Sequence, residues 1–406
     1  MTRRAVILVL DGVGAGAATD AATYGDAGSD TLGHIAEAVG GLELPALEAM
    51  GLGRTRPLAG MRSDVVPLAA WGLMEPRSAG KDSTTGHWEL AGVAIDRPFP
   101  TYPRGFPQRL VEEFSARTGR RVIGNVVGSG TDILTRFGPE HERTGAWILY
   151  TSADSVFQVA AHESVVPLAE LYAACETARA MLVPPDNVSR VIARPFTGEP
   201  GAYTRTANRR DISLEPPAET LLDVLEAAGI ARQGVGKVDD LFAGRGLTSR
   251  HTRGNEEGIR LIADWLAGAN GGLLFANLVD FDQLYGHRND VVGFYGALRE
   301  FDSALPSLLS LCREDDLLCI TADHGNDPTT PGTDHSRERV PLLVFGPRVR
   351  PVPLGTRSTF GDVGATVAEW LGVEFFCCGT SFASELLGSG PRQQEQGWSR
   401  PSGGAT

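Results

Sequence analysis

The segment Thr321-Ala-Asp-His-Gly-Asn-Asp-Pro-Thr-Thr-Pro-Gly-Thr-Asp-His335 places the pair Asp323-His324 and a third donor, His335, on one loop-rich stretch. Upstream, Asp282 and His287 share the run Asp282-Gln-Leu-Tyr-Gly-His287, and Asp11 ends the apolar run Ala5–Leu10. Three carboxylates and three imidazoles could hold two divalent cations. This mixture of oxygen and nitrogen donors suits Mn²⁺, Zn²⁺ or Mg²⁺ better than soft metals. A single Asp after a strand is usually a cap or turn residue, and a single His is usually structural. The six together, at strand ends or in one polar loop, are hard to justify by capping or packing. His34, His141 and His251 have no comparable setting and read as surface or core residues.

A second polar turn, Gly80-Lys-Asp-Ser-Thr-Thr-Gly-His-Trp-Glu89, is dense in hydroxyls. An alcohol is a poor nucleophile near neutrality, but a divalent cation lowers the pKa of coordinated water from about 15.7 to about 7 in favourable cases. Two cations facing a hydroxyl are therefore an apparatus for phosphoryl transfer. The pattern does not say which of Ser83, Thr84 and Thr85 reacts. The same turn also reads as a helix N-cap with Glu89 in the early turns.

These residues need strands and helices to converge. The runs Ala5–Leu10, Trp147–Tyr150, Gly272–Leu278, Leu317–Ile320 and Val340–Phe345 are apolar without alternation, as strands buried on both faces of a mostly parallel sheet would be. Helical spacing separates several of them, over Glu256–Leu266, over Val291–Leu309 with a break expected at Pro306, and over Val363–Leu371. Alternating strands and helices imply an α/β sandwich, whose ligands gather at the carboxyl ends of strands. Asp11, Asp282 and Asp323 all fall at such ends. Proline clusters at Arg97–Pro103 and Leu214–Pro217 suggest an inserted unit with its own strand, the helix Leu168–Leu182 and a run of arginines. The expected organisation is a core of residues 1–98 and 218–387, a smaller cap over 99–217, and a disordered tail over 388–406.

The chain has 406 residues, 42% hydrophobic and 21% charged, which is enough for a sizeable core. A formal charge of −13 disfavours nucleic acid as a partner. Five cysteines (Cys175, Cys312, Cys319, Cys377, Cys378) show no Cys-x-x-Cys spacing, so a reducing, cytoplasmic setting is expected. Arg3-Arg4 and the following apolar run superficially resemble a signal peptide, but the run is too short and ends in Asp11. Nothing approaches the roughly 18 apolar residues of a membrane span.

Taken together, the motifs resemble the phosphopentomutases, the manganese-dependent bacterial type, within the alkaline phosphatase superfamily. The resemblance rests on Asp11-Gly-Val-Gly-Ala-Gly16, Asp30-Thr-Leu-Gly-His-Ile35, Gly80–Gly92, Arg97–Pro103, Tyr150–Glu163, Arg190–Phe196, Asn277–Asp290 and Thr321–Arg337. It implies an alkaline-phosphatase-like α/β core with an inserted cap. It also implies phosphorylation of the threonine before Gly-His-Trp-Glu, which is Thr85 here. One Mn²⁺ would fall to Asp11, Asp323 and His324, and the other to Asp282, His287 and His335. Ser152, Asp154, Arg194 and Lys237 match positions associated with the sugar phosphate. The neighbours Arg209 and Arg210 read instead as surface ion-pair residues. Two departures stand out: Gly12 follows Asp11 where a small hydroxyl is common, and Ser83-Thr84 replaces the usual pair before the threonine.

The implied reaction interconverts α-D-ribose 1-phosphate and D-ribose 5-phosphate, and the 2-deoxy sugars, through a phosphothreonine and a sugar bisphosphate. Priming would come from glucose 1,6-bisphosphate or ribose 1,5-bisphosphate. The expected partner is a small sugar phosphate, with no membrane and no nucleic acid, and the expected state is a monomer or weak oligomer. A metal-dependent phosphatase or sulfatase would use the same site and end with water. A non-catalytic binding protein on the same fold is a third reading, which the intact ligand set argues against.

Overall fold

The computed structural model describes residues 3–152, 155–269 and 271–387. Its main sheet has eight strands in the order Ser249–Arg250, Arg232–Val235, Gly272–Leu278, Arg4–Leu10, Asp316–Thr321, Val340–Phe345, Ala70–Met74 and Pro353–Arg357. Every pairing from Ser249–Arg250 to Asp316–Thr321 is parallel. Val340–Phe345 is antiparallel to both of its neighbours, and the last pair is parallel again. The three central strands, Gly272–Leu278, Arg4–Leu10 and Asp316–Thr321, are buried along their whole length, which explains their unbroken apolar runs.

Register decides where the polar residues after these strands emerge. Leu10 lies opposite Leu278, and Val9 lies opposite Thr321. The three chains thus leave the sheet at one edge, and Asp11 N donates to Leu278 O at 3.2 Å as the first turn begins. At the opposite end of the same strands, Arg4 is 1% exposed and donates to both oxygens of buried Asp316, with Nε at 2.8 Å from Oδ1, and to the carbonyl of Leu266 at 2.8 Å. A buried guanidinium is tolerable only because its donors are matched in this way.

Helix Asn255–Ala267 follows the expected periodicity. The helix starting at Val291 does not break at Pro306 but runs to Ser310. Proline removes one helical hydrogen bond and crowds the preceding turn. Here the buried stripe Phe294, Leu298, Phe301, Leu305 and Leu308 outweighs that penalty, and Asp302 pins the helix by accepting the amides of Ala46 and Leu47 at 3.2 and 2.7 Å.

Residues 108–213 build a second sheet of strands Val122–Val127, Trp147–Thr151, Val156–His162, Arg190–Thr197 and Thr204–Arg205, with Arg210–Ser213 also pairing Arg190–Thr197. Helices Gln108–Thr118 and Leu168–Met181 cover one face and Gly130–Thr144 the other, each face with its own apolar cluster. His141 is structural there: its Nδ1 meets Ala146 O at 2.6 Å and its Nε2 accepts His162 N at 2.9 Å. Among the described residues, no helix is long and apolar enough to cross a membrane. The tail 388–406 lies outside the described residues.

The Arg4–Asp316 pair yields a stability prediction. Asp316→Ala strands a buried guanidinium and lowers unfolding free energy by about 3–5 kcal/mol, whereas Arg4→Met with Asp316→Leu recovers most of the loss. Chemical denaturation of the three proteins measures both effects.

Candidate metal centre and active site

Asp11 follows the first strand directly. Asp323 and His324 lie just past Thr321, and Asp282 sits on the π-helical turn Phe281–Tyr285, with His287 on the 3-10 turn after it. His335 returns on the same loop as Asp323. All three carboxylates are buried, at 0% exposure for Asp11, 3% for Asp282 and 2% for Asp323. His287 Nε2 lies 3.1 Å from Asp282 Oδ2, and His335 Nε2 lies 3.4 Å from Asp282 Oδ1. His324 Nε2 lies 3.3 Å from Asp11 Oδ1 and 3.4 Å from Asp323 Oδ2. The donor atoms of Asp282, His287 and His335 fall within 4.8 Å of one another, as do those of Asp11, Asp282 and His324. The structure therefore brings all six sequence-derived ligands together, with Asp282 at the seam.

The donor set fits divalent cations on two further observations. Asp11 Oδ1, Asp323 Oδ2 and His335 Nε2 are buried without a hydrogen-bond partner, an unfavourable state unless something binds them. His287 Nδ1 meets Thr333 O at 2.6 Å and His324 Nδ1 meets Gly325 O at 3.0 Å. A carbonyl only accepts, so both rings donate from Nδ1 and turn Nε2 inward, the nitrogen that ligates metal once it is unprotonated. In the bare protein, burial opposes ionisation of Asp282 and Asp323, but the facing imidazoles outweigh it and hold both below the ordinary carboxylate range, Asp323 at about 2. Burial likewise opposes charge on His324, yet Asp323, Asp11 and Asp282 raise its pKa well above the usual value.

The candidate hydroxyls differ in their partners. Thr85 is 2% exposed, and its Oγ1 donates to Asp82 O at 2.9 Å and to Asp82 Oδ2 at 3.2 Å. Asp82 Oδ1 in return accepts Thr85 N at 3.1 Å, so Thr85 closes a capping box at the start of helix Ser83–Leu90. Thr85 also lines a recess with Lys81, Asp323 and His324, so it is both a helix cap and a neighbour of the ligand set. Ser83, two residues earlier, presents Oγ to His324 Nε2 at 3.1 Å. Gly86 explains how the helix comes so close, because a Cβ there would stand 2.1 Å from Asp323 O. The helix rests directly on the backbone of a ligand residue.

Several supporting residues gave no signal in the sequence. His87 Nδ1 donates to Ser83 O at 2.9 Å, lies 3.1 Å from Asp323 Oδ2, and its ring stacks on Phe275. Asn277 holds Asp11 Oδ2 at 3.0 Å and Asn326 holds Asp282 Oδ1 at 2.6 Å. His34 is not idle: its Nδ1 lies 2.6 Å from buried Asp327 Oδ2, which also accepts Asp30 N at 3.0 Å. Arg337 donates to the carbonyls of Pro76, Ser78 and Gly80 and so fixes the approach to Ser83.

The second sheet carries a cavity of about 190 Å³ lined by Ser152, Arg190, Arg194, Arg205 and Arg209, among others. Arg194 donates to Gln158 Oε1 at 3.1 Å; burial and then Arg209 push its pKa down to about 10. Arg209 and Arg210 are both exposed and ion-paired, as expected, with Asp211 at 2.6 Å and Glu176 at 3.1 Å, and Arg209 lines this cavity as well. Lys237 lies elsewhere, with Nζ 3.8 Å from Asp11 Oδ2 at the rim of the ligand cluster. Asp154 lies outside the described residues. The helix Val238–Leu241, next to Lys237, packs on strand Arg210–Ser213, so the arginine cavity and the cluster share a border.

The chain matches the model of the Metalloenzyme superfamily over residues 3–375. A phosphopentomutase of Carboxydothermus hydrogenoformans is 55% identical over 92% of this chain and 96% of its own length. The chain belongs to the phosphopentomutase family. Phosphopentomutases of Caldanaerobacter subterraneus subsp. tengcongensis, 53% identical over 95% and 98% of the two chains, and of Anaeromyxobacter dehalogenans, 56% identical over 95% and 100%, place it there equally. As a phosphopentomutase it is an isomerase of the phosphomutase type, and the six convergent donors are its candidate metal-binding groups.

Two measurements test this geometry. Ligation requires neutral His324, whose pKa is raised well above the usual value before a cation binds, so binding of a divalent cation such as Mn²⁺ should release protons and weaken as pH falls. Calorimetry in buffers of different ionisation enthalpy reads that release directly. Gly86→Ala lifts the Ser83 helix off Asp323 and lowers kcat/KM by about a hundredfold, with circular dichroism unchanged.

Proposed function

We propose that the chain interconverts α-D-ribose 1-phosphate and D-ribose 5-phosphate, and their 2-deoxy equivalents, with Thr85 as the residue that carries the phosphoryl group. What supports this reading is the recess that Thr85 shares with Lys81, Asp323 and His324, in the first turn of a helix that rests on Asp323. Two divalent cations, Mn²⁺ in our reading, would be held by Asp11, Asp323 and His324 and by Asp282, His287 and His335. When bound they supply the positive charge that lowers the pKa of a hydroxyl and offsets charge on a transferring phosphoryl group.

The chain's own residues provide the rest. Ser83 opens its helix, and the amides of Ser83 and Thr84, in the first turn, have no acceptor within the helix. They and the helix dipole favour a phosphoryl group on the Thr85 hydroxyl, in the same turn. Gly86 lets that turn rest on Asp323, and His87 lies between Ser83 O and Asp323 Oδ2. The non-reacting phosphate suits the arginine cavity, where Arg194 and its neighbours offer guanidinium donors in fixed planes. Phospho-Thr85 passes its group to the free hydroxyl of the bound monophosphate, and a bisphosphate results. That intermediate reverses, and its other phosphoryl group returns to Thr85 Oγ1, regenerating the enzyme. A sugar bisphosphate, glucose 1,6-bisphosphate or ribose 1,5-bisphosphate, would prime the cycle. The second sheet would close over the site, since water attacking phospho-Thr85 ends the cycle.

Mass spectrometry of protein primed with glucose 1,6-bisphosphate should locate one phosphoryl group on Thr85; phosphate on Ser83 would overturn the assignment. Thr85→Val should lower kcat by about a thousandfold or more and lose about 0.5–1 kcal/mol of stability through the capping box. Ser83→Ala should keep the phosphoryl group on Thr85. Arg194→Met should raise KM for ribose 5-phosphate by about tenfold or more.

A further inference from the structure

A cavity of about 430 Å³ lies on the main sheet's side of the molecule, lined by Ser29, Asp30, His34, Arg56, Leu73 and Arg339, among others. None of the six ligand residues lines it. Glu338 faces the recess beside the Ser83 helix, while the next residue, Arg339, faces this cavity, so the two spaces stand back to back across one strand-like segment. The residues around it include Asp30 and His34 of the motif Asp30–Ile35, whose metal-side role is limited to bracing Asp327.

Its polar chemistry is that of an anion site. Three potentially cationic side chains reach it from separate parts of the chain, His34, Arg56 and Arg339, against one lining carboxylate, Asp30. Asp30 is already occupied: Oδ1 accepts Gly33 N at 3.0 Å and Arg56 Nη1 at 2.5 Å. Arg339 gives Nε and Nη2 to the carbonyl of Ala17, with Glu75 at 3.6 Å, and both guanidiniums keep further N–H groups. His34 uses Nδ1 on Asp327 and Thr329, which leaves Nε2. The decisive group is Ser29, which is 4% exposed and whose Oγ has no hydrogen-bond partner. A hydroxyl shut away from water and left unpaired is unfavourable, and a bound oxyanion resolves it. The volume exceeds that of a free phosphate, and Pro57 and Leu73 offer an apolar wall for an organic group.

We propose that this cavity is a second, non-catalytic site for a phosphate monoester of about sugar size. Its recognition uses the guanidiniums of Arg56 and Arg339 and the Ser29 hydroxyl for the phosphate, with Pro57 and Leu73 against the carbon skeleton.

The test uses the whole Mn²⁺-loaded enzyme with two probes, ribose 5-phosphate and inorganic phosphate, followed by calorimetry and ³¹P relaxation. Phosphorus near Mn²⁺ relaxes strongly, so the metal centre and a remote site separate in one titration. Ribose 5-phosphate is expected to show a weakly relaxed class of site that Arg56→Gln and Ser29→Val each weaken by about tenfold or more, the strongly relaxed class persisting in both. A single strongly relaxed class overturns the proposal. So does a weakly relaxed class that neither variant alters, or one lost in Arg194→Met instead, which would be the arginine cavity of the second sheet. Equal affinity for inorganic phosphate would overturn the monoester assignment.

Discussion

Three carboxylates buried at one sheet edge are the constraint around which this protein is built. Asp11, Asp282 and Asp323 have almost no access to water, and like charges gathered in a low-dielectric interior repel unless positive charge is interposed. Three imidazoles face them at 3.1–3.4 Å. Imidazoles answer part of that demand while they are charged: two of the rings donate from Nδ1 to backbone carbonyls and turn Nε2 to the carboxylates. The same nitrogens and oxygens are a donor set that divalent cations would fill once the rings give up their Nε2 protons. Parallel register is what makes the gathering possible, since three strands that run the same way must release their chains at the same edge.

Around the cluster, each donor is held by a partner that fixes its direction. Asn277 and Asn326 grip carboxylate oxygens, His87 reaches Asp323 from the Ser83 helix, and Asp327 ties the ligand loop to Asp30 and His34. Such partners turn a loop into a rigid element, and a metal site needs that rigidity as much as it needs ligands. Gly86 belongs to the same scheme by what it lacks. The absence of a side chain lets one helix touch the backbone of Asp323, which joins the hydroxyl-bearing first turn and the ligand set into one body.

Much of this was legible in the sequence. Unbroken apolar runs marked the central strands because both of their faces are covered, and the ligands stood out because they follow those runs. Ser83 and Thr85 were not separable by such reasoning. They lie two residues apart on a helix, so about 200° of rotation separates them, and which one faces the ligands depends on how the helix docks. The spacing Asp82-x-x-Thr85 is itself a capping signature, and a cap residue can stand beside the ligands as well. Pro306 shows the opposite failure, a correct local rule overruled by a long buried stripe. His87, Asn326 and Asp327 were silent because their roles come from contacts across long sequence separations, to which neither periodicity nor composition responds.

The two environments that would handle phosphate differ in kind, and the difference bears on how a mutase avoids acting as a hydrolase. At the ligand cluster, a hydroxyl, a helix N-terminus and a cation-binding donor set meet, everything required to make and break a P–O bond. The cavity of the second sheet has guanidiniums, with Asp211 as a carboxylate counterweight, and none of the six ligands lines it. A phosphate held there is gripped and not activated. In the proposed cycle, a bisphosphate that exchanges its ends between the two would always expose one reactive and one inert phosphate. Which end reaches Thr85 would set the direction of transfer, so one nucleophile would serve both positions of the sugar.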